Sequence, residues 1–234
     1  MKAVIMAAGK GTRMLPLTKN IPKVLIEING KPFLYYLLKN LQEAGYNDVG
    51  IVVGYKKEQF PDFLKKYGFK ATLIEQKEQK GTGHAVVQAR DFTKDEDFIV
   101  LGGDNLWSPN DLEAMLKQDN LCYVAGIKVD NPQKYGVLVA KNSGLVRIVE
   151  KPTKFVGNLI NTGLYKFTPE IYQALEQVKE SERGEYELTD AISLLAKQGK
   201  VKILKVKDYW IDLGSKEDIP KVEEEIKNVR NNRL

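Results

Sequence analysis

Residues 1–14 read Met-Lys-Ala-Val-Ile-Met-Ala-Ala-Gly-Lys-Gly-Thr-Arg-Met, and positions 16–25 continue Pro-Leu-Thr-Lys-Asn-Ile-Pro-Lys-Val-Leu. Positions 3–8 form an apolar run of strand length. The turn that ends it contains Gly9 and Gly11, which leave the backbone bare, so its N–H groups can lie against phosphate oxygens. Arg13, after Thr12, and then Lys23 supply fixed positive charge. A buried strand running into a glycine-rich basic loop is suited to gripping polyphosphate.

Two familiar phosphate loops do not fit. A dinucleotide-binding loop needs a third glycine where Met14 stands, and a P-loop needs Gly-Lys-Ser/Thr where the chain has Thr12-Arg13-Met14. What remains is G-x-G-T-R with Pro22-Lys23 downstream. Taken alone, this segment also fits a tight turn with two solvated cations.

Outward from this loop, runs rich in Val, Ile, Leu and Phe recur at 49–53, 71–74, 98–101, 123–129, 160–167 and 201–206. Several are apolar on both faces, as in strands covered by helices on each side. Segments 31–44, 58–67, 84–92, 109–117, 169–178 and 187–198 read as helices between them. The rhythm breaks at 136–140 and 145–149, two strand-like runs joined by Lys-Asn-Ser-Gly, which predicts a hairpin and a mixed sheet. Residues 215–233 read as a closing amphipathic helix. The expected fold is α/β: a single doubly wound, mostly parallel mixed sheet flanked by helices, in one domain over 1–234.

Composition narrows the function classes. The chain has 36 Lys+Arg against 31 Asp+Glu, a formal charge of +5, but the basic residues are interspersed with acidic ones, which argues against a nucleic acid partner. Cys122 is the only cysteine, so no intrachain disulfide can form and no cysteine cluster exists for zinc. No signal-peptide pattern opens the sequence, and no apolar stretch approaches the roughly 20 residues that cross a bilayer. The expectation is a cytoplasmic protein with no membrane partner, for which self-association stays open.

Gly102-Gly103-Asp104 follows the apolar run at 98–101 and sets a carboxylate at the carboxyl end of a strand, where ligands of open α/β sheets gather. Mg²⁺ takes carboxylate, water and phosphate oxygens, so Asp104 suits it; an Asp after two glycines also suits a plain turn. Asp212, in Tyr209-Trp210-Ile211-Asp212-Leu213-Gly214, is the natural second carboxylate, with a turn or helix-start role as its rival. Spacing alone does not bring the two together.

In order, the chain carries AAGKGTRM, PK, Gln76 with Gly81-Thr82, GGDN, NPQKYGV, EKP, NLINTG, RGEYELTD and YWIDLG. This series resembles the catalytic domain of the sugar-1-phosphate nucleotidylyltransferases, in particular the glucose-1-phosphate thymidylyltransferase and archaeal uridylyl- or thymidylyltransferase branches. The resemblance spans residues 1 to about 218. It implies a Rossmann-like nucleotide-diphospho-sugar transferase fold, with a nucleotide-binding half over about 1–110 and a sugar-phosphate half over about 111–234.

By the same resemblance, Ala8, Gly9, Gln76, Gly81 and Thr82 surround a pyrimidine base, with Gly11 and Thr12 in the nucleotide loop. Tyr135, Gly136, Glu150, Asn161, Thr162 and Gly163 form a sugar-binding wall, and Lys151 holds the sugar phosphate. A glutamine amide offers both a donor and acceptors to the Watson–Crick edge of uracil or thymine. Glu150 and Lys151 are adjacent and would point to opposite faces of an extended strand, so serving one substrate demands a bend near Pro152. Residues 185–190 fit a helix-capping role. His84, the only histidine, reads as a boundary or nucleotide-edge residue rather than a general base.

The implied reaction joins a nucleoside triphosphate, UTP or dTTP, to a sugar 1-phosphate, glucose 1-phosphate foremost, with Mg²⁺ as cofactor. Arg13, Lys23 and Lys151 would be the catalytic cations, and Asp104 and Asp212 the metal ligands. A phosphocholine-type cytidylyltransferase and a noncatalytic nucleotide-sugar sensor are the alternatives. The Tyr-Gly, Glu-Lys-Pro and Asn-Thr-Gly elements argue against the first, and the retained charged positions against the second.

Overall fold

In the computed structural model, which describes residues 1–231, strand β1 (Lys2–Ala7) divides its side chains between two cores. Ala3, Ile5 and Ala7 join one cluster of buried residues, and Val4 joins the other. This period-2 division places β1 inside a sheet covered on both faces. Beyond the loop come a short ribbon of β2 (Glu27–Ile28) and β3 (Lys31–Pro32), then α1 (Phe33–Glu43), β4 (Val49–Val53), α2 (Phe60–Tyr67) and β5 (Thr72–Glu75). Next follow α3 (Thr82–Gln88), α4 (Arg90–Thr93), β6 (Phe98–Gly102), β7 (Asn105–Trp107), α5 (Pro109–Glu113) and β8 (Cys122–Lys128). The hairpin β9 (Gly136–Lys141) and β10 (Gly144–Glu150) leads to β11 (Leu159–Phe167), α6 (Glu170–Leu175), α7 (Leu188–Lys197), β12 (Val201–Lys205), β13 (Trp210–Asp212) and α8 (Ile219–Asn231).

Nine strands form the main sheet in the order β5-β4-β1-β6-β11-β8-β12-β10-β9. From the pairings, β10 and β11 run one way and the other seven the opposite way. This is the mostly parallel mixed sheet expected from the sequence. The chain steps outward from β1 to β4 and β5, then returns to β6 on the other flank of β1. The loops after β1 and β6 therefore open a crevice at a topological switch point, the standard ligand position in such sheets.

One face is covered by α1, α2, α5 and α8, through residues such as Phe33, Leu37, Phe60, Leu112 and Val222; the other by α3, α6 and α7, through Val86, Ile171 and Ile192. Lys166 is a charged exception, fully buried on β11, with its ammonium 2.6 Å from Asp97 and donating to the carbonyls of Asp119 and Leu121. No helix among the described residues is long and apolar enough to cross a membrane.

Several element boundaries differ from the sequence reading for local reasons. The helix expected over 31–44 starts at Phe33, because Lys31 and Pro32 pair in the β2–β3 ribbon. The helix expected over 84–92 is two pieces that meet at Ala89. The final helix begins only after a capping box in which Ser215 and Asp218 satisfy each other's backbone N–H groups. Residues 232 and 233 of that expected helix lie outside the described residues.

Candidate active site

The two loop glycines serve different ends. Gly11 adopts φ +62°, and a Cβ there would come within 2.9 Å of the Lys23 Cβ, so Gly11 is dictated by the chain's own packing. Thr18 locks that conformation by donating from its hydroxyl to the Gly11 carbonyl at 2.8 Å. Gly9 has nothing within 4 Å of its Cβ position, which leaves its bare backbone facing open space. Arg13 lies exposed in the short helical turn Thr12–Met14 that follows.

Lys23 is almost fully buried, yet its ammonium reaches Asp104 Oδ2 at 2.7 Å and the Gly214 carbonyl at 3.3 Å. Three distant pieces of sequence thus meet on one nitrogen. Partial burial by itself would raise the Asp104 pKa, but the adjacent ammonium and its hydrogen bond outweigh that and hold the carboxyl below its ordinary value.

Asp212 is brought beside Asp104 by an antiparallel ribbon of β7 and β13, in register Trp210–Trp107, Ile211–Leu106 and Asp212–Asn105. The Leu213 N–H donates to the Asp104 carbonyl at 2.9 Å. Burial first, then the neighbouring Asp104 charge, push the Asp212 pKa up to about 6, with Lys23 and Arg13 pulling the other way. Two half-buried carboxylates that repel each other form an oxygen-only donor pair, which suits a hard cation that also takes phosphate oxygens. Among the described residues no group of three or more His, Cys, Asp or Glu side chains is placed to hold a metal. A cation here would rely on ligand and solvent oxygens for the rest of its shell.

A cleft of about 500 Å³ lies between the loop after β1 and the start of α3, and Asp212 is not among the residues that line it. Ala8, Gly9, Gly11, Thr12, Arg13, Lys23, Gln76, Gly81, Thr82, Asp104 and Gly163 all line it. Gln76 is 3 % exposed, with its backbone N–H bonded to the Val53 carbonyl and its side-chain amide to the Gly81 carbonyl and the His84 ring. Gly81 adopts φ +96°, and a Cβ would fall 2.7 Å from the Tyr186 carbonyl.

Thr82 turns its hydroxyl away toward α7, where it accepts from the Leu188 N–H at 3.1 Å. This corrects the capping assignment for residues 185–190. The helix start is capped from outside by Thr82, while Glu187 pairs with Arg183 at 2.7 Å.

Of the expected sugar wall, only Gly163 lines this cleft. Tyr135 packs edge-on against Trp210, whose indole N–H donates to Asn105. Glu150 Oε1 stands 2.9 Å from where a Gly136 Cβ would be, so Gly136 is the gap that lets the carboxylate lie flat. Lys151 leaves β10 with a left-handed backbone, φ +39°, its N–H bonded to the Tyr135 carbonyl. That is the bend that Glu150 and Lys151 need if both face one substrate. Asn161 donates to Tyr165 and accepts from the Gly163 N–H. Thr162 differs: its hydroxyl is buried, accepts from the Trp107 indole at 3.1 Å and donates to the Ala125 carbonyl at 3.1 Å. Its side chain lies beneath the wall rather than in it.

The family model for nucleotidyl transferases matches residues 2–229. The chain belongs to the nucleotidyl transferase family. It is 42% identical over 221 residues to the bifunctional protein GlmU of Methanocaldococcus jannaschii, covering 94% of this chain but 52% of the relative. The chain therefore spans about half the length of the GlmU relatives it matches. To the UTP–glucose-1-phosphate uridylyltransferase AglF of Haloferax volcanii it is 37% identical over 237 residues, covering 97% of this chain and 96% of that one. Among solved structures, a UDP-glucose pyrophosphorylase complexed with UDP-glucose superposes with a TM-score of 0.87 at 29% identity, covering 97% and 98% of the two chains. A putative glucose-1-phosphate thymidylyltransferase from Bacillus anthracis gives 0.86 at 26% identity, covering 96% and 94%.

Within this nucleotidyl transferase, the cleft contains residues that sequence reasoning passed over: Asn105, Gln79, Tyr165, Glu185 and Gly214. Asn105, Glu185 and Gly214 had a signal, since the quoted motifs GGDN, RGEYELTD and YWIDLG contain them. Tyr165 had none, because it arrives only through tertiary packing. The Tyr186 N–H bonds to the Lys80 carbonyl and its carbonyl takes the Gly83 N–H, stitching 185–186 onto the Gly81 loop.

Proposed function

We propose that the chain transfers a nucleotidyl group from UTP or dTTP to a sugar 1-phosphate, with glucose 1-phosphate as first substrate, to form a nucleoside diphosphate sugar and pyrophosphate. The observation that carries this reading is the meeting of the β1 loop and the Lys23–Asp104 pair in the cleft that also holds Gln76 and Gly81, with Asp212 set beside Asp104 by the β7–β13 ribbon. Near whole-length likeness to a protein named as a UTP–glucose-1-phosphate uridylyltransferase supports the choice of substrates.

A phosphate oxygen of the sugar 1-phosphate attacks the α-phosphorus, the new P–O bond forms, and the bond from that phosphorus to the bridging oxygen breaks as pyrophosphate leaves. The nucleophile is already anionic at neutral pH, so the task is to align and neutralise two repelling phosphates, and no proton need be removed. Lys23, fixed by Asp104 and the Gly214 carbonyl, is charge set in place before the reaction. Arg13 and the bare backbone at Gly9 take the triphosphate, and Lys151, on its left-handed turn, steers the sugar phosphate beside Glu150.

Asp104 and Asp212 would hold Mg²⁺, and their side-by-side carboxylates fit that ion. When bound, Mg²⁺ supplies charge neutralisation at phosphate oxygens.

The test is pyrophosphate release with Mg²⁺ and glucose 1-phosphate, offering UTP, dTTP, CTP, ATP and GTP singly, then repeating with N-acetylglucosamine 1-phosphate. Release that needs both a sugar 1-phosphate and UTP or dTTP is expected. A preference for CTP, or release without the sugar phosphate, contradicts the reading.

A further inference from the structure

Asp111 carries a buried carboxylate that the proposed reaction does not use. It stands on α5, 3 % exposed, and is not among the residues that line the cleft. Its Oδ1 accepts from the Lys207 N–H at 2.7 Å. Its Oδ2 accepts from the Asp208 N–H at 3.1 Å and from the Ser108 hydroxyl at 2.8 Å. Two adjacent backbone donors and a hydroxyl call for a group that accepts at both ends, which a carboxylate does and an amide does not.

The turn that Asp111 grips runs directly into β13, and so to Asp212. Neighbouring bonds join the same pieces of chain. Asn110 donates to the Asp208 carboxylate at 2.9 Å, and Asn40 on α1 donates both to the Trp107 carbonyl at 2.7 Å and to the Tyr209 hydroxyl at 2.9 Å. The ribbon depends on such anchoring, because β7 and β13 have three residues each and an isolated two-stranded ribbon is marginal in water. It must also hold Asp104 and Asp212 side by side against the repulsion of like charges. The Leu213 N–H bonded to the Asp104 carbonyl ties one end, and the turn at 207–208 ties the other.

We infer that Asp111 is a positioning residue for the reaction: by clamping the 207–208 turn to α5 it fixes Asp212 beside Asp104 without touching substrate. This rests on the reading of Asp104 and Asp212 as the pair that takes the ion. Asp111→Asn keeps the size of the side chain but turns an NH₂ group toward one of its donors, which releases the turn and lets the two carboxylates move apart.

The test reads ion binding without turnover. UTP binding to the full-length protein, with no sugar phosphate present, is measured by calorimetry once with Mg²⁺ and once with EDTA, and the ratio of the two affinities is the gain that Mg²⁺ supplies. That gain should fall about tenfold or more in Asp111→Asn, as it should in Asp212→Asn, while affinity in EDTA stays near wild type. Tyr172→Phe is the control, since it removes a buried hydroxyl bond to Thr93 on the opposite face of the sheet and should leave the gain unchanged. A full gain in a folded Asp111→Asn overturns the inference and leaves the carboxylate pair intact. No gain in wild type, or a full gain in Asp212→Asn, overturns the reading of the pair and this inference with it. UTP that binds in neither buffer overturns the proposed function on which both stand.

Should Asp111→Asn not fold, reciprocity gives a test in the wild type. If the clamp favours the ion, the ion must favour the clamp. The Lys207 and Asp208 amides, followed by NMR, should then exchange with solvent at least severalfold more slowly with UTP and Mg²⁺ than with UTP and EDTA. Equal rates overturn the inference.

Discussion

Lys23 Nζ lies 2.7 Å from Asp104 Oδ2, joining residues 81 positions apart across the crevice beside β1. This pair sets a positive charge and a carboxylate at fixed positions, where the proposed reaction brings two phosphates together. Lys23→Met keeps the apolar stem and removes the charge. Turnover should fall by about a hundredfold or more, the usual cost of losing one preorganised charge, in a protein whose far-UV circular dichroism is unchanged. Turnover within a few-fold of wild type would remove Lys23 from the mechanism.

Asp212→Asn tests the carboxylate pair. The variant leaves Asp104 and its Lys23 contact in place while deleting half of the donor set. A Mg²⁺ titration of turnover should show the half-saturating concentration raised by about tenfold or more. An unchanged titration curve would mean that Asp212 does not hold the ion.

Gly9 and Gly81 should behave in opposite ways. Gly81 has φ +96° and ψ +176°, a region that only glycine enters freely, and a Cβ would meet the Tyr186 carbonyl at 2.7 Å. Gly81→Ala should cost about 1–3 kcal/mol in urea denaturation. Gly9→Ala has room in the folded chain, so its stability should stay within about 0.5 kcal/mol of wild type. Its KM for the nucleoside triphosphate should rise severalfold. Equal destabilisation by both substitutions would contradict the division between a packing glycine and a ligand-facing one.

Thr162→Val should destabilise by about 1–3 kcal/mol, because the buried Trp107 indole N–H loses its acceptor. The ratio of activities with glucose 1-phosphate and N-acetylglucosamine 1-phosphate should not move. A shifted ratio at unchanged stability would return Thr162 to the sugar wall.

The sequence carried the parts of this account that are local. Apolar runs gave the seven main-sheet strands outside the hairpin, and Lys-Asn-Ser-Gly gave the β9–β10 hairpin, because period and turn chemistry are local properties. That Gly9, Gly11, Arg13 and Lys23 line one cleft was legible because they lie close together in the chain. What stayed hidden was convergence. The three-residue strand Asn105–Trp107 is too short to show a period, yet its pairing with Trp210–Asp212 is what sets Asp212 beside Asp104. The bend at Lys151 was foreseen as a requirement but not its form, since a left-handed lysine has no sequence signal. Thr82 as a cap for α7, 106 positions away, could not be read at all before the two loops were seen together.

The central claim is attack by a sugar-phosphate oxygen on the α-phosphorus of a pyrimidine nucleoside triphosphate, and isotope position tests it most directly. The protein would be given glucose 1-phosphate, Mg²⁺ and UTP labelled with ³²P at either the α or the γ position, with the products separated by chromatography. The account predicts α label in a nucleoside diphosphate sugar and γ label in pyrophosphate. Gamma label on the sugar product, or in free orthophosphate with no sugar nucleotide formed, would contradict it.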